Sequence, residues 1–121
     1  MPEVKFSKED LLQKQKVQAG WLKLVVKELS EKPGTNDPSS ITYPCFMVVA
    51  DGPQQGIPVR KYFTEKQMGD FSNFLACFME GDIEVGKSYD YTKVIGRQVE
   101  GYCRYNSDMN WNEATDFRKP K

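Results

Sequence analysis

Apolar and polar residues alternate along Gly20-Trp21-Leu22-Lys23-Leu24-Val25-Val26-Lys27-Glu28-Leu29, with Leu22, Leu24 and Val26 on one face. This two-residue period predicts a strand. Ahead of it, residues 1–19 form a polar segment in which Ser7 precedes Lys8-Glu9-Asp10-Leu11-Leu12. Asp10, three residues after Ser7, completes a capping-box pattern, so a short helix is expected that persists only by docking through Leu11 and Leu12. Ser30 to Ser40 has two prolines, a glycine and no apolar period, which predicts a mobile loop. A second strand is expected from Thr42 to Asp51, centred on Phe46-Met47-Val48-Val49-Ala50, and Asp51-Gly52-Pro53-Gln54-Gln55-Gly56 is a turn by its glycines and proline. The third strand, Ile57 to Phe63, turns Ile57, Val59 and Phe63 inward and Arg60 and Tyr62 outward. Lys61 breaks the inward pattern, unless it lies at a frayed edge or its head snorkels to solvent.

The period then changes. Thr64-Glu65-Lys66-Gln67 is a capping box, and Met68, Phe71, Phe74, Leu75, Phe78 and Met79 recur at three- and four-residue spacing. An amphipathic helix ending near Gly81 follows, with the glycine as its C′ residue. Glu84 to Ile95 is a turn-rich connector. Gly96 to Tyr105 and Asn110 to Phe117, joined through Asn106-Ser107-Asp108-Met109, predict a β-hairpin. Three strands, a helix and two strands is the order of a mostly β, five-stranded OB-fold barrel whose helix sits between the third and fourth strands. A mixed sheet with the helix on one face is the other arrangement this order allows. Residues 1–19 are then an N-terminal polar segment, 20–117 the OB domain and 118–121 a short basic tail.

A chain of 121 residues that is 39% apolar and 28% charged is one domain with a core of its own. The net charge is zero, so any polyanion must be held by a local arrangement of charge rather than by bulk attraction. There is no histidine, which removes the commonest general base, the triads that depend on it and most transition-metal sites. Gly-Pro-Gln-Gln-Gly at 52–56 lacks the lysine of a phosphate-cradling loop. No catalysis, metal or cofactor is expected. Cys45, Cys77 and Cys103 are far apart in the sequence and sit among apolar or aromatic neighbours, as reduced core thiols of a cytoplasmic protein do. No apolar run reaches the ~18 residues of a membrane span.

The outward positions carry rings and cations. Arg60 and Tyr62 stand on the third strand; Gln98, Glu100, Tyr102 and Arg104 on the fourth, with Tyr105 at the hairpin corner; Trp111 on the fifth; Trp21 and Lys23 share a face of the first. Taken singly, each has an ordinary reading: tryptophans cover barrel ends, Tyr62 and Tyr102 form a cross-strand pair, and the arginines are solvated charges. Taken together, Trp21, Lys23, Arg60, Tyr62, Tyr102, Arg104, Tyr105 and Trp111 combine base-stacking surfaces with phosphate-neutralising charge.

The chain resembles the OB-fold single-stranded DNA-binding proteins encoded by tailed bacteriophages and prophages. The likeness lies in Phe6-Ser7-Lys8-Glu9-Asp10-Leu11-Leu12 followed by Gly20-Trp21, the Asp51-Gly52-Pro53 turn with Gly56-Ile57-Pro58-Val59, Gly86-Lys87-Ser88-Tyr89-Asp90, Gly96-Arg97 with Val99, and Asn112-Glu113 with Asp116-Phe117. The resemblance implies single-stranded DNA binding with little sequence preference and protection of DNA intermediates in phage replication or recombination. It also implies replication or recombination proteins as further partners, and a homodimer as one possible assembly. The chain stops at Asp116-Phe117-Arg118-Lys119-Pro120-Lys121 rather than in an acidic tail, so tail-mediated recruitment is not expected. The rival class is an OB-like protein-interaction or phage assembly module that turns the same rings toward a protein.

Overall fold

The computed structural model describes residues 2–34, 37 and 39–120. A short helix α1 (Lys8–Leu12) precedes strands β1 (Gly20–Leu29), β2 (Lys32–Pro33), β3 (Ile41–Val49) and β4 (Pro58–Thr64). Helix α2 (Met68–Ala76) and the hairpin strands β5 (Gln98–Asn106) and β6 (Trp111–Arg118) complete the chain, with 3₁₀ turns at Glu65–Gln67 and Tyr91–Val94. Five long strands close a barrel. The strand β1 pairs antiparallel with β5 through Gly20–Val25 and with β3 through Leu24–Leu29, bending at an irregularity between Val26 and Glu28. Antiparallel β3–β4 and β5–β6 pairs extend the two sides, and a parallel β4–β6 contact at Arg60 and Glu113 joins them. This is the OB-fold arrangement expected from the element order. Closure satisfies strand edges that an open sheet would expose.

Alternation places Leu24, Val26, Cys45, Met47, Val49, Val59, Phe63, Val99 and Cys103 inside the barrel. Gly101 is on the same side, where a Cβ would stand 2.7 Å from Leu24 Cδ1 and force that side chain to shift. Phe71 and Phe74 of α2 close one end of the barrel, with the Phe71 ring 4.8 Å from Phe63 and the Phe74 ring 4.7 Å from Phe117. Burial pushes the Cys45 and Cys103 thiols up to about 12, and raises that of half-buried Cys77. Among the described residues no helix is long and apolar enough to cross a membrane.

Several boundaries differ from the sequence reading. The α-helix stops at Ala76 rather than near Gly81. The amides of Cys77, Phe78 and Met79 bond three residues back instead, which winds the chain tightly and still buries Phe78. Met68 is exposed because it lies at the start of α2, a turn before Phe71 reaches the barrel. The Thr64–Gln67 box is present, Gln67 Oε1 accepting from the Thr64 amide at 3.4 Å, but it opens a 3₁₀ turn ahead of the α-helix. Within the expected Ser30–Ser40 loop, Lys32 and Pro33 pair with Thr42 and Ile41 as β2; Thr35, Asn36 and Pro38 lie outside the described residues. Nothing in a Lys-Pro dipeptide signals a strand, since proline removes one of its hydrogen-bond donors.

The N-terminal segment packs against the barrel. Ser7 and Asp10 form the expected capping box around α1. Leu12 packs on the core, over Gly56, while Leu11 faces solvent, so one of the two expected anchors docks. Beyond α1 the chain runs along the barrel, with Val17 buried in the core. Its partner is Asn112, which faces inward from β6 and is 5% exposed. Asn112 Oδ1 accepts from the Val17 amide at 2.9 Å, and its Nδ2 donates to the carbonyls of Gln15 and Pro58 at 2.9 and 3.0 Å. Asn112→Ala strands three backbone groups, so urea denaturation is expected to show a loss of about 2–4 kcal/mol. Hydrogen exchange at the Val17 amide should accelerate more than at core amides of β5.

Candidate functional site

The outer faces of β3, β4 and β6 bring rings and one arginine together. Register places Phe46 opposite Arg60, Arg60 opposite Glu113, and Glu113 opposite Arg104, so a row of four residues crosses four strands. The Arg60 guanidinium carbon lies 5.5 Å from the Phe46 ring centre and 5.2 Å from that of Trp111. Tyr62 stands beside them, 5.3 Å from Trp111 at a 37° tilt and 6.0 Å edge-on from Phe46. Among the described residues Arg60 forms no ion pair; the rings hold its position through cation–π contacts. A guanidinium placed in this way keeps its N–H donors for a ligand.

Two depressions flank Arg60 and Trp111, and both residues line each of them. One, of about 680 Å³, is bordered by Ser40, Thr42, Tyr62, Gln67 and Met109 of the hairpin turn. The other, of about 400 Å³, lies between Phe46, Pro58, Tyr105 and Asn110 on the barrel and Gln13 to Gln15 of the N-terminal arm. The hairpin turn between them is built locally: Asn106 Oδ1 accepts from the amides of Asp108 and Met109 at 3.0 and 3.1 Å. Asn110 takes a left-handed φ of 61°, which asparagine tolerates.

The acid in the row is neutralised. Arg104 Nε donates to Glu113 Oε1 at 2.7 Å, and Asn106 Nδ2 donates to its other oxygen at 3.1 Å. Burial pushes the Glu113 carboxyl up, but the hydrogen bonds from Asn106 and Arg104, with the charges of Arg104 and Lys61, outweigh it and hold the group below its ordinary value. Lys61 snorkels, one of the two explanations the sequence allowed: it is partly exposed, its ammonium sits 5.7 Å over the Phe63 ring, and it lines the larger depression. Tyr105 donates its hydroxyl to Asn110 Oδ1, and the Lys16 ammonium lies 4.5 Å over its ring.

The eight candidate residues fall into two contact groups. Arg60 and Tyr62 both contact the Trp111 ring, with Arg104 beside them through Glu113 and Tyr105 at the rim of the smaller depression. Trp21, Lys23 and Tyr102 stand on the β1–β5 pair, each of these strands two steps around the closed barrel from β4 and Arg60. There Trp21 and Tyr102, each 37% exposed, meet edge-on at 5.7 Å. Arg118 lies 4.1 Å over Trp21 and binds Glu100 at 2.8 Å, while Lys23 reaches Asp51 at 4.0 Å. Glu100 is outward by alternation yet only 6% exposed, since Arg118 covers it. The cross-strand Tyr62–Tyr102 pair does not form; Tyr62 pairs with Trp111 and Tyr102 with Trp21. Neither tryptophan is in the buried core.

Sequence reasoning missed Phe46, although Cys45, Met47 and Val49 pointing inward leaves it outward. It also missed the arm, whose place depends on Asn112. The charge balance at Glu113 gives a pH dependence with a definite sign. A carboxyl lowered in the folded state contributes stability above its unfolded value of about 4.3, and loses it as pH falls through the lower folded value. Glu113→Gln should therefore be less stable than the parent at pH 7, with the gap closing as pH falls through the acid range; chemical denaturation across pH checks this. No protein-family model matches the chain and no curated protein matches it, so what the face does rests on its own chemistry.

Proposed function

We propose that the protein binds single-stranded DNA, with little sequence preference, across the β3–β4–β6 face. The observation that carries this is Arg60 lying against the Phe46 and Trp111 rings, with Tyr62 alongside, between two open depressions. Rings stack any base, and each stacked base contributes roughly 1–3 kcal/mol, so binding does not require a large net charge. Arg60 supplies a phosphate contact at the same place. Two of the strands involved, β3 and β4, are the second and third of the barrel, whose face oligonucleotide-binding barrels use. Together with the phage-type resemblance of the sequence, the reading extends to protection of DNA intermediates during replication or recombination.

A Trp21→Phe background leaves Trp111 as the sole tryptophan reporter. Titration with oligo-dT should quench it, with an affinity that weakens as salt rises. Trp111→Ala and Tyr62→Ala should each weaken binding roughly tenfold or more, measured by anisotropy of a labelled oligomer. Heparin, a polyanion without bases, should quench little. Folded protein that ignores oligo-dT at low salt would sink the proposal and favour the protein-interaction class; equal affinity for oligo-U would widen it to RNA.

A further inference from the structure

The two depressions differ in charge. The larger one carries Asp37 and Glu113 against Arg60 and Lys61, so its charges balance. The smaller one is lined by Lys14 and Arg60, and none of its described lining residues is a carboxylate. Lys16 extends the same positive strip, its ammonium over the ring of Tyr105 at the depression's rim. The arm that brings these lysines here is fixed, because buried Asn112 binds the backbone on both sides of Lys16, at Gln15 and Val17. Gln54 Oε1 accepts from the Gln18 amide at 2.7 Å, a further tie just beyond it. Two flexible side chains thus project from an anchored backbone beside the one ring-held arginine of the site.

We infer that Lys14 and Lys16 of the N-terminal arm contact phosphates of the bound strand, whose backbone runs through the arm-side depression. The bases then turn toward Tyr62, Trp111 and the charge-balanced depression beyond. The assignment rests on the single-stranded DNA reading and adds to it a direction across the face. A positive, partly walled groove concentrates phosphate more effectively than the same charges scattered on a convex surface. The arm is then a wall of the binding site rather than a leader to the barrel.

The test is a salt series. Labelled oligo-dT is titrated into the full chain and into Lys14→Gln/Lys16→Gln by anisotropy between about 50 and 200 mM salt. Each lost phosphate contact should flatten the log affinity against log salt slope by about 0.7, so the double variant should lose about 1.4 in slope. Quenching of Trp111 at saturation should be unchanged, because base stacking is left in place. Lys27→Gln/Lys93→Gln, which removes two exposed lysines outside both depressions, serves as the control and should keep the parental slope. An arm variant with the parental slope overturns the inference, as does an equal loss in the control, which would mean diffuse attraction. Absence of binding by the unsubstituted protein is a different result: it removes the DNA reading itself.

Discussion

Asn112 faces the interior of the barrel from β6, between two outward neighbours that both belong to the candidate site. Its amide has one acceptor and two donor contacts, and they reach the N-terminal arm on one side and the start of β4 on the other. A buried amide is tolerable only when its hydrogen bonds are met, so the arm, β4 and β6 must be in register together. The strand β4 carries Arg60 and Tyr62, β6 carries Trp111 and Glu113, and the arm carries Lys14 and Lys16. One interior hydrogen-bond set therefore fixes the relative positions of the surface groups on three separate pieces of chain. The parallel β4–β6 contact has a single register pair, Arg60 with Glu113, so this interior bonding supports the seam where the ladder is shortest.

Electrostatics on the outer face follow a consistent division. Two carboxylates of the outer strand faces are tied to arginines: Glu113 to Arg104, and Glu100 to Arg118. Arg60 is positioned by rings instead. A net charge of zero thus conceals an uneven surface, in which the paired charges shape the barrel and the ring-held cation remains available. The Trp21–Tyr102–Arg118 group on β1, β5 and β6 shows the other use of the same residue types. There the arginine is committed to a buried acid, and the cluster closes the outside of the sheet.

What the sequence disclosed depended on the range of the interaction concerned. Periods of two and of three to four residues, capping boxes and the Asn-rich turn are local, and they yielded the five barrel strands, the plugging helix and their order. Inward and outward assignments along single strands also held, down to Gly101 and Cys103 inside and Arg60 and Tyr62 outside. Grouping residues across strands failed where curvature enters, because alternation says which side of a strand a residue is on and not where that side points. Trp21 and Tyr102 are outward yet pack on each other and Arg118 rather than on the Arg60 rings for this reason. The role of Asn112 was illegible, since its bond to Val17 spans 95 residues and the arm has no apolar period to announce its docking.

Two of the three cysteines have a consequence for how the molecule ages. Cys45 and Cys103 lie inside the barrel with thiols pushed up to about 12, so almost no thiolate exists there at neutral pH and neither sulfur is open to solvent. Oxidation must then wait for the barrel to open, and once a sulfur has gained oxygen it no longer fits a close-packed interior. Folding and chemical lifetime are in this way the same property: whatever keeps the strands closed also keeps the sulfurs reduced. Damage at these two positions would accumulate as chains that cannot refold, while every closed barrel retains its two interior thiols.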